Sequence, residues 1–228
     1  RGDHTPHARG SFVTKSVLLI AGEVSGDMHA AALVRAVKKK NPDVHFFGIG
    51  GDELRAAGME IVVDARNMAV MGVAEVVKRY GFFKKVFDDM TELARARKPD
   101  AVVLVDYPGF NLRFAGKARE MGLKVVYYIC PQVWAWHRSR IPKMARIVNR
   151  LIVIFPFEPD VFTDTSLKVD FVGHPLVDIA EKALAEPLKD LPWKGDARIA
   201  LLPGSRDQEI DRIFPSMLSA AALLENQV

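Results

Sequence analysis

Short apolar runs, each closed by a turn and followed by a helical stretch, recur along this chain and restrict the folds open to it. The clearest is Ala101–Val105, AVVLV, which is unbroken and rich in Val. A run that short and that β-branched is a strand buried on both faces, as in a parallel sheet. Val17–Ala21 has the same character, and Val44–Phe47, Ile61–Val63, Lys124–Ile129, Leu151–Phe155 and Val169–Val172 are further strands. Helical stretches separate them: about Met28 to Lys40, Asp52–Ala57 closed by Gly58, about Val73 to Arg97, about Leu112 to Met121, and Pro142 to about Asn149. This alternation is that of an α/β fold built on a doubly wound parallel sheet.

The Ala101 run ends in Asp106, and Tyr107-Pro108-Gly109 must turn. Open parallel sheets bind ligands outside the carboxyl ends of their strands, so Asp106 stands where such sheets do chemistry. Taken alone, the stretch reads more simply as an Asp capping the helix that begins near Phe110. The turn Gly22–Asp27 joins the first strand to its helix. Glycines there let backbone approach a ligand, and a helix N-terminus attracts an anion. The turn lacks the Gly-Lys-Ser/Thr of a P-loop, and Ser25 is out of place for a GxSxG elbow. Asp27 reads as the N-cap of the helix that follows. Gly48–Gly51 has two of the dinucleotide glycines but Glu53 where the third would stand, which makes it a turn.

The 228 residues are 49% apolar and 26% charged, the balance of a soluble globular protein. A net charge of +4 permits contact with phosphates or anionic lipid without demanding nucleic acid, and no nucleic-acid motif is present. The single cysteine, Cys130, excludes an intrachain disulfide and a CxxC site. No HExxH or paired-Cys spacing predicts a protein-ligated metal. No stretch reaches the ~18 consecutive apolar residues of a membrane span.

Three segments carry surplus features. Val70–Met90 has a helical apolar stripe suited to a core, widened by Met71, Phe82 and Val86 and flanked by Lys78, Arg79, Lys84 and Lys85. A basic amphipathic helix with extra aromatics can lie on an anionic bilayer or hold acyl chains. His137–Arg150 carries Arg138, Arg140, Lys143, Arg146 and Arg150 and no acid, which suits a solvated face first, or the binding of phosphate or anionic lipid. Its residues 143, 146 and 150 are expected on one helix face. Leu201–Arg206 sets an Arg at the start of a helix after a Gly-Ser turn, an arrangement suited to a diphosphate.

Residues 1–15 are polar and expected to be disordered or foreign to the fold. Leu184–Asp196, with two prolines and mixed charge, reads as an interdomain linker. Arg198–Leu202 predicts a new strand and Asp207 onward a helix. The first Met is Met28, and the last residues keep a helical pattern, so the chain is expected to be a fragment.

Seven motifs occur in order: AGEVSGD (21–27), AVMGVAEV (69–76), VDYPGFN (105–111), PQVWAWHRSR (131–140), FPFE (155–158), FVGHP (171–175) and LLPGSR (201–206). Together they resemble the lipid-A-disaccharide synthase family. The resemblance implies a two-domain glycosyltransferase of the GT-B fold, peripheral on the cytoplasmic side of the inner membrane of Gram-negative bacteria. It implies an inverting transfer from UDP-2,3-diacylglucosamine to 2,3-diacylglucosamine 1-phosphate, giving a β-1,6 disaccharide 1-phosphate and UDP, with no cofactor and no metal. Residues 16–183 would form the acceptor-side Rossmann-like domain, 184–196 the linker, and 197–228 the first βα unit of the donor-binding domain.

By the same resemblance Asp106 takes the general-base position. Glu23, Ser25, Gly26, Asp27 and Asn111 fall on the acceptor side, and Ser205 and Arg206 meet the donor diphosphate. Val70, Met71, Phe82, Phe83 and Val86 match an apolar surface for acyl chains and membrane. A homodimer is one assembly open to such a protein. Alternatives are another GT-B enzyme, such as a UDP-sugar epimerase or a peptidoglycan glycosyltransferase, and a non-catalytic nucleotide- or lipid-binding module.

Overall fold

The computed structural model describes residues 15–68, 79–187, 198–204 and 207–225. Seven strands, all paired in parallel, form one sheet: β1 (Ser16–Ala21), β2 (His45–Gly50), β3 (Glu60–Asp64), β4 (Ala101–Val105), β5 (Val125–Tyr128), β6 (Arg150–Val153) and β7 (Lys168–Phe171). Their spatial order is β3-β2-β1-β4-β5-β6-β7, so the chain winds outward in one direction from β1 and in the other from β4. That is the doubly wound topology expected from the alternation of runs.

The sheet is buried on both faces because each strand alternates its side chains between them. Leu18 and Ile20 of β1 join one apolar cluster with Val102 and Leu104 of β4. Leu19 and Ala21 join the other with Val103 and Val105. Helices α1 (Val24–Lys40) and α2 (Asp52–Ala56) cover the second face through Ala30, Ala31, Val34 and Leu54. Helices α3 (Tyr80–Arg97), α4 (Pro108–Glu120) and α5 (Ile141–Ile147) cover the first through Met90, Phe114 and Met144. A further helix, α6 (Leu176–Ala185), follows β7 and was not anticipated from the sequence.

Several boundaries differ from expectation. The Gly48–Gly51 segment is not a turn at its start: β2 runs through Gly48 to Gly50. A Cβ on Gly48 would overlap the carbonyl oxygen of Leu19 on the neighbouring strand, so glycine here permits close strand approach. Helix α1 begins at Val24, not Met28, with Glu23 as its extended N-cap residue. Helix α4 begins at Pro108, with Tyr107 at the N-cap position. Arg150 opens β6 and pairs with Asp170 rather than sharing a helix face with Lys143 and Arg146.

The chain divides into two compact units, residues 1–180 and 181–228. In the second, residues 198–204 are described without strand structure, against the expected strand at 198–202. A strand is held by its ladder partners, and none is described in this unit. Helix α7 (Asp207–Glu225) follows. Residues 1–14, 69–78 with the whole 69–76 motif, 188–197 with most of the expected linker, 205, 206 and 226–228 lie outside the described residues.

Candidate functional site

Ala21 pairs with Val105 across β1 and β4, so Gly22 and Asp106 leave the sheet side by side. The chain after β1 goes to one face and the chain after β4 to the other. The gap between those two connections is the topological switch point, where open α/β sheets hold ligands.

Asp106 is held there by its backbone. Its φ is 45° and that of Tyr107 is 49°, both left-handed. The Tyr127 hydroxyl donates to the Asp106 carbonyl at 2.6 Å, and the Asn111 amide nitrogen donates to the same oxygen at 2.8 Å. The Asp106 N–H donates to the Tyr128 carbonyl at 3.1 Å. Non-glycine residues in this region cost about 1 kcal/mol or more each, and persist only where their surroundings over-determine them. Five such residues occur among those described: Lys98, Asp106, Tyr107, Ile129 and His137. Lys98 closes α3, while the other four line two adjacent cavities. The strain is therefore concentrated around one place.

The first cavity is a cleft of about 520 Å³, with Asp106, Cys130, Gln132, Trp136, Arg140 and His174 in its wall. Burial raises the pKa of the Asp106 carboxyl, and the nearby charge of Glu23 raises it further; the Tyr107 backbone N–H opposes both. A carboxylate so placed is a stronger base than a free one and still faces an opening. Asp106 is not the helix cap that the stretch alone suggested, since Tyr107 occupies that position. Burial, reinforced by the charges of Glu158 and Asp106, pushes the Cys130 thiol far up, which removes its thiolate chemistry.

The second cavity, about 470 Å³, is apolar, lined by Tyr80, Phe83, Phe87, Tyr107 and Phe110, with Lys84 and Arg113 beside them. Consecutive residues thus face different cavities: Asp106 the polar cleft, Tyr107 the apolar one. Tyr107 is fixed by its hydroxyl, which donates to the Met68 carbonyl at 3.1 Å. A Cβ on Gly22 would stand 2.6 Å from the Tyr107 ring, so only glycine fits beneath it.

Not every residue expected on the acceptor side faces the cleft. Glu23 is half-buried and close enough to act on Asp106 and Tyr107, and Ser25 is exposed on the first turn of α1. Asp27 is buried, and it does not cap its own helix. Its carboxylate accepts the N–H groups of Gly51 at 2.6 Å, Glu53 at 3.0 Å and Leu54 at 3.3 Å, capping α2. Gly26 is buried against Ala21 and Val105 and serves close packing of α1. Asn111 is fully buried, so it holds the Asp106 turn and is not available to touch substrate. Val86 packs in the core at 5% exposure and cannot meet a membrane or acyl chain. Phe82 and Phe83 are half-buried beneath the Arg79 guanidinium, 4.8 and 5.7 Å from the ring centroids. Val70, Met71, Ser205 and Arg206 lie outside the described residues.

Two functional groups were missed. Tyr127 reads in the sequence as one more strand residue. Glu158 is buried with its carboxylate accepting the N–H groups of Ile154 at 3.1 Å and Phe155 at 2.9 Å, which shapes the cleft wall after β6. An acid shortly after an apolar run was the available signal for it.

The model of the family described as lipid-A-disaccharide synthetase matches residues 17–228. The chain belongs to the lipid-A-disaccharide synthase family. It is 42% identical over 221 residues to the lipid-A-disaccharide synthase of Geobacter metallireducens, covering 96% of this chain and 58% of that protein. It is 43% identical over 213 residues to lipid-A-disaccharide synthase 1 of Legionella pneumophila strain Lens, covering 91% and 55%. The chain thus spans little more than half the length of these family members. Among solved structures, a putative UDP-N-acetylglucosamine 2-epimerase from Listeria monocytogenes matches with a TM-score of 0.55 at 13% identity, over 78% of this chain and 49% of that one. The UDP-GlcNAc 2-epimerase of Neisseria meningitidis bound to UDP-GlcNAc matches with a TM-score of 0.54 at 13% identity, over 74% and 48%. These likenesses establish the GT-B type of α/β fold for this family member. No helix among the described residues is long and apolar enough to cross a membrane.

Proposed function

We propose that this chain is the acceptor-side part of a longer inverting glycosyltransferase that makes the lipid A disaccharide. The donor is UDP-2,3-diacylglucosamine, the acceptor 2,3-diacylglucosamine 1-phosphate, and the products are the β-1,6 disaccharide 1-phosphate and UDP. One observation carries the reading: a basic carboxylate, Asp106, stands in a polar cleft whose next residue opens onto an apolar cavity. A sugar bearing fatty acyl chains needs both environments within one molecule's length.

Asp106 takes the proton from the acceptor 6-hydroxyl as its oxygen attacks the anomeric carbon of the donor. The anomeric C–O bond breaks, and UDP leaves with the electron pair. One aligned base suffices for such an inversion. Negative charge grows on the departing diphosphate, where a guanidinium and a helix N-terminus act most strongly, the role assigned to Ser205 and Arg206. Glu23 and Ser25 border the acceptor. Residues 16–183 form the acceptor domain, 184–196 the linker and 197–228 the start of the donor domain. Phe82 and Phe83, with Lys84 and Lys85, face acyl chains and the cytoplasmic surface of the inner membrane.

The deciding experiment incubates the full-length protein with both lipids and analyses products by mass spectrometry. Disaccharide 1-phosphate and UDP in equal amounts are expected. In a parallel incubation with UDP-GlcNAc, epimerisation in place of disaccharide formation would favour another GT-B activity, and lipid binding without turnover a non-catalytic module. Changing Phe82 and Phe83 together to Ser is expected to lower kcat/KM for diacylated substrates by about tenfold or more, the scale of a lost aromatic contact. It is also expected to reduce sedimentation with anionic liposomes. Unchanged values for both would remove this surface from lipid binding.

A further inference from the structure

Five of the described arginines have acidic partners in the structure. Arg35 pairs with Glu53, Arg55 with Asp52, Arg66 with Asp64, Arg97 with Glu60 and Arg150 with Asp170. Arg140 differs. It is half-buried in the wall of the polar cleft, and among the described residues its guanidinium makes no ion pair and no hydrogen bond. Its charge reaches the Tyr127 hydroxyl, which is bonded to the Asp106 carbonyl, and it lines the same cleft as the proposed base. A guanidinium taken partly out of water with no counter-charge is unfavourable unless something fills its fork.

Two histidines share that wall. The Leu176 N–H donates to Nδ1 of His174 at 3.2 Å, and the Phe155 ring packs against its imidazole at 5.4 Å between centroids. An Nδ1 that accepts a hydrogen bond leaves the proton of the neutral ring on Nε2, as a donor. His137 is held in the left-handed region, with its carbonyl accepting the Arg140 N–H at 2.9 Å. That backbone contact ties the His137 turn to Arg140 at the cost of backbone strain. The cleft lining therefore holds one bidentate cation and two histidines together with a single acid that must remain free for chemistry.

We propose that Arg140, with His137 and His174, seats a phosphate monoester in the cleft: the anomeric phosphate of the acceptor sugar. The proposal rests on the functional reading above. Phosphate geometry matches a guanidinium fork, and imidazole N–H groups supply the remaining donors. The donor diphosphate is assigned to Arg206, in the other unit, so the anion seat beside the base is left to the acceptor. Held by its phosphate on one side of the ring, the acceptor turns its 6-hydroxyl, on the other side, toward Asp106. The seat selects phosphorylated over dephosphorylated acceptors.

The test measures KM and kcat of the full-length protein for the acceptor with and without its phosphate, in Arg140→Ala, Arg140→Lys and His174→Gln variants. Arg140→Ala is expected to raise KM for the phosphorylated acceptor about 10- to 100-fold, the scale of a lost charged hydrogen bond, with the donor KM unchanged. Preference for the phosphorylated acceptor should disappear. Arg140→Lys should recover part of it, and His174→Gln should lose less than Arg140→Ala. Equal losses on both acceptors, or an unchanged preference, overturn the proposal. Calorimetric titration with glucosamine 1-phosphate separates this failure from that of the functional reading. Binding that Arg140→Ala abolishes, in a protein that forms no disaccharide, keeps the phosphate seat and removes the transferase. Disaccharide formation with phosphate preference intact in Arg140→Ala does the reverse.

Discussion

Replacing Asp106 with Asn in the full-length protein is expected to lower kcat by about 100-fold or more, the range for loss of a general base. The fold should survive, because the Asp106 backbone is held by Tyr127, Asn111 and Tyr128 through main-chain atoms that Asn retains. Rate and stability should then respond to pH in opposite senses. The Asp106 pKa is raised above its ordinary value of 3.8, so catalysis by the ionised form fades as pH falls through the raised value. Asn should remove that limb of the profile. The native protein also keeps a proton that the unfolded chain releases, so wild-type stability falls as pH rises from about 3.8 through the raised pKa. Asn carries no charge. Its variant should melt at or above the wild-type temperature at pH 7, and the advantage should vanish below pH 3.8. Wild-type turnover in Asp106→Asn would remove Asp106 from the mechanism.

Asp27→Ala is the largest expected loss of stability. It strips three N–H groups at the start of α2 of their acceptor, two of those bonds being fully buried. A lost cap with unsatisfied donors costs about 3 kcal/mol. For a unit of this size that lowers Tm by about 6–12 °C. Denaturant midpoint and thermal melt should both register it, with Asp27→Asn falling between. If stability held while acceptor KM rose, Asp27 would be a ligand residue after all and the capping role would fail.

These two acids illustrate what the sequence discloses. The place of Asp106 at a strand end was legible because it closes a short apolar run, although that stretch alone read more simply as a helix cap. The role of Asp27 was not, because it read as the cap of its own helix, while its partners lie 24 to 27 residues further on at the start of α2. Val86 was assigned to a lipid-facing surface since apolar residues surround α3 more widely than one stripe. Which of them pack inward depends on the docking of α4, and Val86 does. Gly48 and Gly50 looked like a turn because glycine usually marks one. Here Gly48 lets β2 lie close against β1, a contact between distant segments. The strand expected at 198–202 failed for a related reason: apolar residues alone do not make a strand without a ladder to join.

The left-handed backbone at Asp106, Tyr107 and His137 sets the direction in which this family member can be engineered. Glycine at Asp106 or His137 would relieve that backbone strain, and each time it would delete a side chain that lines the cleft. Screens that reward heat resistance alone would therefore erode the candidate site from its centre outward, and would need a selection for the site's function running beside them.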